Sequence, residues 1–183
     1  TQFAIPPELL GSHIGPTKSH TTLRVHELSF RAVTALFGHA GLEWDITQCT
    51  EDELAHLKNW ATYYQQNRDL LHSGNMVRVD RVDDTSFVHG VVSQDQRKAI
   101  FAYVTLGTQG GSRPAGIRFA GLNENSQYRV RAVFPAGEPK YLQRANVQWL
   151  DGVELSGSAL MHMGLRAPIL FPDNAFLIEI EAI

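Results

Sequence analysis

The sequence predicts an α+β fold in which two helices precede a long run of short antiparallel strands. Three observations carry this. Apolar residues recur at three- and four-residue steps up to Ser73-Gly74, and at alternate positions from there to Ile183. Thr50-Glu51-Asp52-Glu53 has capping-box spacing ahead of an amphipathic stretch. Beyond Gly74, short apolar runs are divided by Gly, Pro, Asn and Asp turn signals, the pattern of an antiparallel β-sandwich.

The first helix is expected to start at Thr21 or Thr22, whose hydroxyls can cap free backbone N–H groups. Phe30, Val33 and Phe37 form one apolar stripe, and Leu28, Ala32, Ala35 and Leu36 another, so burial on two sides is implied. Gly38 and Gly41 are read as the left-handed positions that end it. The second helix begins after Thr50, with Glu51, Asp52 and Glu53 at the positive end of its dipole. Leu54, Leu57, Trp60, Tyr64 and Leu71 mark its buried side, and Ser73-Gly74 ends it. Strands are expected at Met76–Val82, Ser86–Val92, Ala99–Leu106, Gly116–Gly121, Tyr128–Phe134, Val147–Trp149, Ala159–Met163 and Ala175–Ile180. The turns between them fall at Asp83-Asp84, Gly110-Gly111-Ser112-Arg113-Pro114, Asn123-Glu124-Asn125, Pro135-Ala136-Gly137 and Asp151-Gly152. No linker-like segment separates the halves, so they are expected to pack on each other.

Bulk properties exclude several classes. The 183 residues carry 16 Lys+Arg against 19 Asp+Glu with no block of one sign, which offers nothing to a nucleic acid. The single Cys49 cannot form an internal disulfide. No apolar run approaches the ~20 residues that span a bilayer, and no membrane partner is expected. Thr1-Gln2-Phe3-Ala4-Ile5 lacks the basic flank and apolar core of a signal peptide, and the missing Met points to an absent natural N-terminus. A cytoplasmic location is the corresponding expectation.

The chemistry-bearing residues do not form an obvious catalytic set. Hydrolysis by paired carboxylates needs two such groups converging on the bond to be cut. Glu51, Asp52 and Glu53 are explained by helix capping, Asp83-Asp84 by a hairpin turn, and Glu179 with Glu181 by one solvated strand face. Asp45 is read as a hydrogen-bonding group between the helices. His13, His20, His26 and His39 are dense but lack zinc-ligand spacing, so no metal is expected. His162 is read as solvent-facing, Trp60 as core, and Trp149 as facing either way. No phosphate loop or dinucleotide fingerprint is present, and no cofactor is expected.

One ordered set of segments goes further. Pro6-Pro7-Glu8-Leu9-Leu10-Gly11-Ser12-His13-Ile14-Gly15-Pro16 is followed by Phe30-Arg31-Ala32 and by Thr34 through Phe37-Gly38 to Trp44-Asp45. Leu70-Leu71-His72-Ser73-Gly74, His89-Gly90-Val91-Val92, Gly121-Leu122, Tyr128-Arg129-Val130 and Leu155-Ser156-Gly157-Ser158-Ala159-Leu160-Met161 then recur in order. This order resembles the C-terminal part of bacterial α-galactosidases, the melibiase-like enzymes of glycoside hydrolase family 36.

The resemblance implies that residues 1–73 are a remnant of a catalytic (β/α)8 barrel, holding its last strand region and two helices. Residues 74–183 would be a C-terminal antiparallel β-sandwich. It implies a parent that hydrolyses terminal α-galactosyl bonds with retention, through an Asp nucleophile and an Asp acid/base on earlier strands. Neither motif is in this chain: Trp44-Asp45 follows the last strand and lacks the preceding Lys. The isolated fragment is therefore expected to be inactive. Ser12 and His13, at the end of a barrel strand, are the residues placed near the sugar pocket, with loop bracing as the alternative. A non-catalytic carbohydrate-binding sandwich and a structural or oligomerisation module remain alternatives. The second apolar stripe of the first helix is expected to drive self-association.

Overall fold

The computed structural model describes residues 9–79, 84–108, 116–143 and 147–183. The expected segments at Thr1–Ile5, Pro6–Glu8, Asp83 and Gly110–Pro114 lie outside these residues.

The first part is a βαβα unit. Strand β1 (Gly11–Ile14) leads through a loop to helix α1 (Leu28–Ala35), then to β2 (His39–Leu42) and to α2 (Glu51–Ser73). Strands β1 and β2 pair in parallel, with Gly11 opposite His39 and Ile14 opposite Leu42. The sequence predicts one strand here and the structure has two: the Gly38-His39-Ala40-Gly41 run, which reads as a helix stop, enters β2.

Helix α1 begins six residues later than Thr22. Thr22 is used in a tight loop instead: its N–H donates to Ser19 Oγ and its own hydroxyl accepts from the Arg24 amide. Neither Gly38 nor Gly41 is left-handed. Gly38 is required by closeness, since a Cβ there would lie 2.5 Å from the Leu10 carbonyl oxygen and 2.8 Å from Ser12 Oγ. Both stripes of α1 are covered within the chain itself, with Val33, Phe37, Leu28, Ala32 and Leu36 buried and Phe30 half-buried. The exposed stripe that motivated self-association is thus absent.

Helix α2 starts with the expected capping box: Glu53 N–H donates to Thr50 Oγ1, and the Glu53 carboxylate accepts from Thr50 N–H. Leu57, Trp60 and Leu71 are buried, whereas Leu54, in the first turn, is 42% exposed.

The second part is built on one six-stranded antiparallel sheet. Its strands are β3 (Asn75–Val79), β4 (Ser86–Val92), β5 (Lys98–Thr105), β7 (Gln127–Val133), β9 (Val153–Ser156) and β12 (Asn174–Ala182), in the order β3-β4-β5-β12-β7-β9. Two ribbons, β6 (Gly116–Ile117) with β10 (Leu165–Arg166) and β8 (Tyr141–Gln143) with β11 (Ile169–Leu170), accompany it. Alternation along the strands gives the sheet two buried faces. Phe101, Tyr103, Tyr128, Val130, Phe176 and Ile178 pack with Ile117, Phe119, Trp149 and Leu160 in one core. Val91, Ile100, Ala102, Val104, Ala175 and Leu177 point the other way, into a core shared with α1 and α2. Each fully buried large side chain contributes about 1.5–3 kcal/mol.

Two expected strands are helical. Gln148–Asp151 is a 3-10 turn that swings Trp149 and Leu150 into the sheet core, and Trp149 Nε1 donates to the Arg166 carbonyl at 2.7 Å. Residues expected at Ala159–Met163 form α3 (Gly157–His162), capped by Ser156 Oγ, which accepts from Ala159 N–H. Ala, Leu and Met favour helix once such a cap is present. Only the first two residues of the expected Gly116–Gly121 strand are in one.

The acidic strand face is not simply solvated. Glu181 pairs with Lys98 at 3.0 Å and Glu179 with Arg131 at 2.7 Å across neighbouring strands. His162 does face outward, 3.1 Å from Glu124.

Candidate functional site

Parallel strands need cover on both faces and neighbours at their edges, and sites in such folds form at the carboxyl ends of the strands. Here those ends are Ile14 and Leu42, joined where Glu43 N–H donates to the Ile14 carbonyl. On β1, Ser12 and Ile14 turn towards α1, and Gly11 and His13 turn away from it. The Ser12 hydroxyl donates to the Ala35 carbonyl at 2.6 Å, so it braces strand to helix. His13 is open, and its Nε2 lies 2.7 Å from the Glu43 carboxylate. The pair sits on the open side of β1, at the rim formed by both strand ends.

The loops above these ends are organised by a residue that pattern reading passed over. Arg31, on α1, is 9% exposed. Its Nε donates to the His26 carbonyl at 3.2 Å, its Nη1 to the Gly15 carbonyl at 2.5 Å and its Nη2 to Thr17 Oγ1 at 3.2 Å. The guanidinium also lies 4.6 Å over the Trp44 ring, and so ties the loop after β1 to the loop after β2. Burial pulls its pKa below the usual arginine value, opposed by the charges of Glu53, Cys49 and Glu27. Its sequence signal is an arginine set among the apolar residues Phe30, Ala32 and Val33.

In the second loop, Asp45 does not bridge the helices. It caps the short turn Ile46–Gln48, accepting from the Thr47 amide and hydroxyl and from Gln48. Those hydrogen bonds hold its carboxyl below the usual carboxylate range.

The histidines disperse. His26 is 3.6 Å from Asp173, His39 stacks on His72 at 6.1 Å, and His20 is exposed. Among the described residues, no three His, Cys, Asp or Glu side chains converge as a metal site would need. A cavity of about 550 Å³ lies elsewhere, between α2 and the sheet; its charged lining is the Lys98–Glu181 and Arg131–Glu179 pairs. Tyr63 lines it with a buried hydroxyl that makes no well-formed hydrogen bond. Burial and the neighbouring Glu179 charge push that phenol far above its ordinary pKa.

A parallel βαβα unit with an open rim, fused through a common core to an antiparallel sheet, defines a two-part α/β fold. The family model described as Melibiase matches residues 1–74, and that of the glycosyl hydrolase family 36 C-terminal domain matches residues 87–175. The chain belongs to glycoside hydrolase family 36. It is 37% identical over 185 aligned residues to an α-galactosidase of Escherichia coli, covering 98% of this chain and 26% of that protein. It is 27% identical to α-galactosidase AgaA of Geobacillus stearothermophilus, over 73% of this chain and 18% of that one. The chain thus spans about a quarter or a fifth of the curated relatives it matches. Among solved structures, the α-galactosidase of Lactobacillus brevis superposes with a TM-score of 0.79 at 25% identity, over 97% of this chain and 23% of that one. An AgaA variant from G. stearothermophilus in complex with raffinose gives 0.78 at 23% identity, over 97% of this chain and 22% of that one.

Proposed function

We propose that this chain is the C-terminal region of an α-galactosidase that hydrolyses terminal α-galactosyl residues of oligosaccharides with retention. The observation that carries this is the 37% identity to the E. coli enzyme along 98% of the chain. In this reading β1 and β2 are the closing strands of a (β/α)8 barrel, residues 1–73 are barrel and 74–183 the β-domain. An isolated parallel pair makes sense only as part of a larger parallel sheet, which supports the barrel assignment. The catalytic carboxylates lie in the preceding part of the polypeptide. This chain contributes the rim: His13, on the open side of β1 and paired with Glu43, is the substrate-proximal side chain, and Ser12 braces it from behind.

The carbohydrate-binding alternative draws no support from the tryptophans. Trp60 and Trp149 are buried and Trp44 is half-buried beneath Arg31, so none offers an open platform for a sugar ring. Among the described residues no helix is long and apolar enough to cross a membrane.

The test compares the 183-residue chain with the polypeptide that includes its preceding catalytic region. The longer form is expected to cleave an aryl α-galactoside and to release the α-anomer first. The short form is expected to give no turnover. Inversion, or turnover by the short form that vanishes when one of its own carboxylates is replaced, would overturn the reading.

A further inference from the structure

The loop between β1 and α1, residues 15–27, leaves the carboxyl end of β1 and so belongs to the rim. It folds as a small hairpin. Ser19 N–H donates to the Arg24 carbonyl, His26 N–H donates to the Thr17 carbonyl, and Leu23 takes the left-handed conformation at φ 58°. Its apolar side chains do little to hold it, since Leu23 and Val25 are each 65% exposed. Arg31 fixes the near side. The far side is fixed from the β-domain: Arg24 Nη2 and His26 Nε2 both reach Asp173 Oδ2, and Glu27 Oε1 accepts from Lys140 Nζ at 2.5 Å. These partners lie 113 and 149 residues apart in sequence.

The two anchors form one rigid corner. Lys140 N–H donates to the buried Asn174 Oδ1 at 2.7 Å, Asn174 Nδ2 donates to the Pro172 carbonyl, and Phe171 N–H donates to the Lys140 carbonyl. Asp173 is itself left-handed, at φ 55°, a conformation that Asp and Asn tolerate better than other side chains. A single exposed ion pair is worth little. Two ion pairs and the adjoining His26–Asp173 contact, meeting at one corner and restraining one short loop, are a different case, because ordering any one side chain pre-orders the others.

We propose that Asp173 and Lys140 are positioning residues by which the β-domain holds the first βα loop over the substrate rim. The β-domain then acts on the reaction without touching the sugar. The part concerning substrate rests on the α-galactosidase reading; the part concerning the loop does not.

The test has two arms. The first is hydrogen exchange of segment 17–26 in the chain, comparing wild type with Asp173→Asn and Lys140→Glu. Asn keeps the left-handed turn and removes the charge. Exchange in the loop is expected to rise roughly three- to fivefold, the scale of a small network of partly exposed pairs, with β5 and β12 unchanged. Glu27→Lys added to Lys140→Glu should restore protection, which a general loss of folding would not allow. Unchanged loop exchange in both single variants, or failure of the charge swap to restore it, overturns the clasp.

The second arm measures kinetics on an aryl α-galactoside in the longer polypeptide. KM is expected to rise about three- to fivefold with kcat within twofold, and to recover in the swapped double variant. A loosened loop with unchanged KM overturns the positioning role. Absence of α-galactosidase activity in the wild-type longer polypeptide overturns the proposed function, and the exchange arm still decides the clasp.

Discussion

Replacing Arg31 tests whether one buried cation organises the rim. Arg31→Ala removes three hydrogen bonds, to two backbone carbonyls and Thr17, and the cation–π contact with Trp44. Hydrogen bonds from a charged donor are worth about 1.5–3 kcal/mol each and do not add fully. A partly exposed cation–π contact adds about 0.5–1 kcal/mol. Against this stands the cost of burying the guanidinium, the same cost that lowers its pKa. The net loss is about 3 kcal/mol for Arg31→Ala and about 2 kcal/mol for Arg31→Lys, since an ammonium serves one carbonyl but not the fork. With a urea m-value of roughly 2 kcal/mol/M for a chain of this size, the Ala midpoint should fall by about 1.5 M. Urea titration followed by tryptophan fluorescence reads this, and Trp44 beneath the guanidinium makes the probe local as well as global. An Ala variant within about 0.5 kcal/mol of wild type, or a Lys variant as damaging as Ala, would refute the reasoning.

His89 packs edge-on against Phe37, and burial pulls its pKa from 6.5 to about 4. The unfolded chain binds that proton first as pH falls, so stability should drop by about 3 kcal/mol between pH 6.5 and 4; denaturation across this range in wild type and His89→Leu should show the step only in wild type. Tyr63→Phe removes a buried hydroxyl with no well-formed partner and should be neutral or stabilising by up to ~1 kcal/mol, whereas a loss above 1 kcal/mol in thermal unfolding would show that the hydroxyl is bonded. Gly90→Ala places a Cβ 2.4 Å from the Ile100 carbonyl oxygen and 2.6 Å from the Phe101 ring, so it should cost about 3 kcal/mol or more and leave little folded protein, as measured by circular dichroism.

How much of this was legible depended on whether the local signal matched the contact that decides the structure. The Thr50–Glu53 box is complete within four residues, and α2 starts where it says. The alternation of Arg129 and Arg131 against Val130 likewise fixes which way β7 faces. Val147–Trp149 and Ala159–Met163 failed because a few apolar residues in a row fit a strand, a 3-10 turn or a helix equally well. For α3 the usable signal was the Ser156 cap rather than the apolar run. Helix α1 was misplaced because Thr21 and Thr22 are as apt for turns as for caps. Ser12 and His13 stand out in the sequence only through family resemblance, and the structure places them on β1 near its carboxyl end. Glu43, Arg31 and Asp173 were out of reach because their partners are set by tertiary proximity: Asp173 meets Arg24 from 149 residues away.

The division at Ser73 and Gly74 is visible in the chain but does not pass through the interior. The sheet gives one face to its own ribbons and the other to α1 and α2, so Leu177 and Ala102 belong to the same packed cluster as Ala32 and Trp60. Anyone exchanging modules between members of the family should therefore not cut between helix and sheet. A graft of residues 74–183 alone would carry half of someone else's interface into a new host. The transferable block begins before α1, and substitutions on the inner face of β12 should be chosen together with those on the helices.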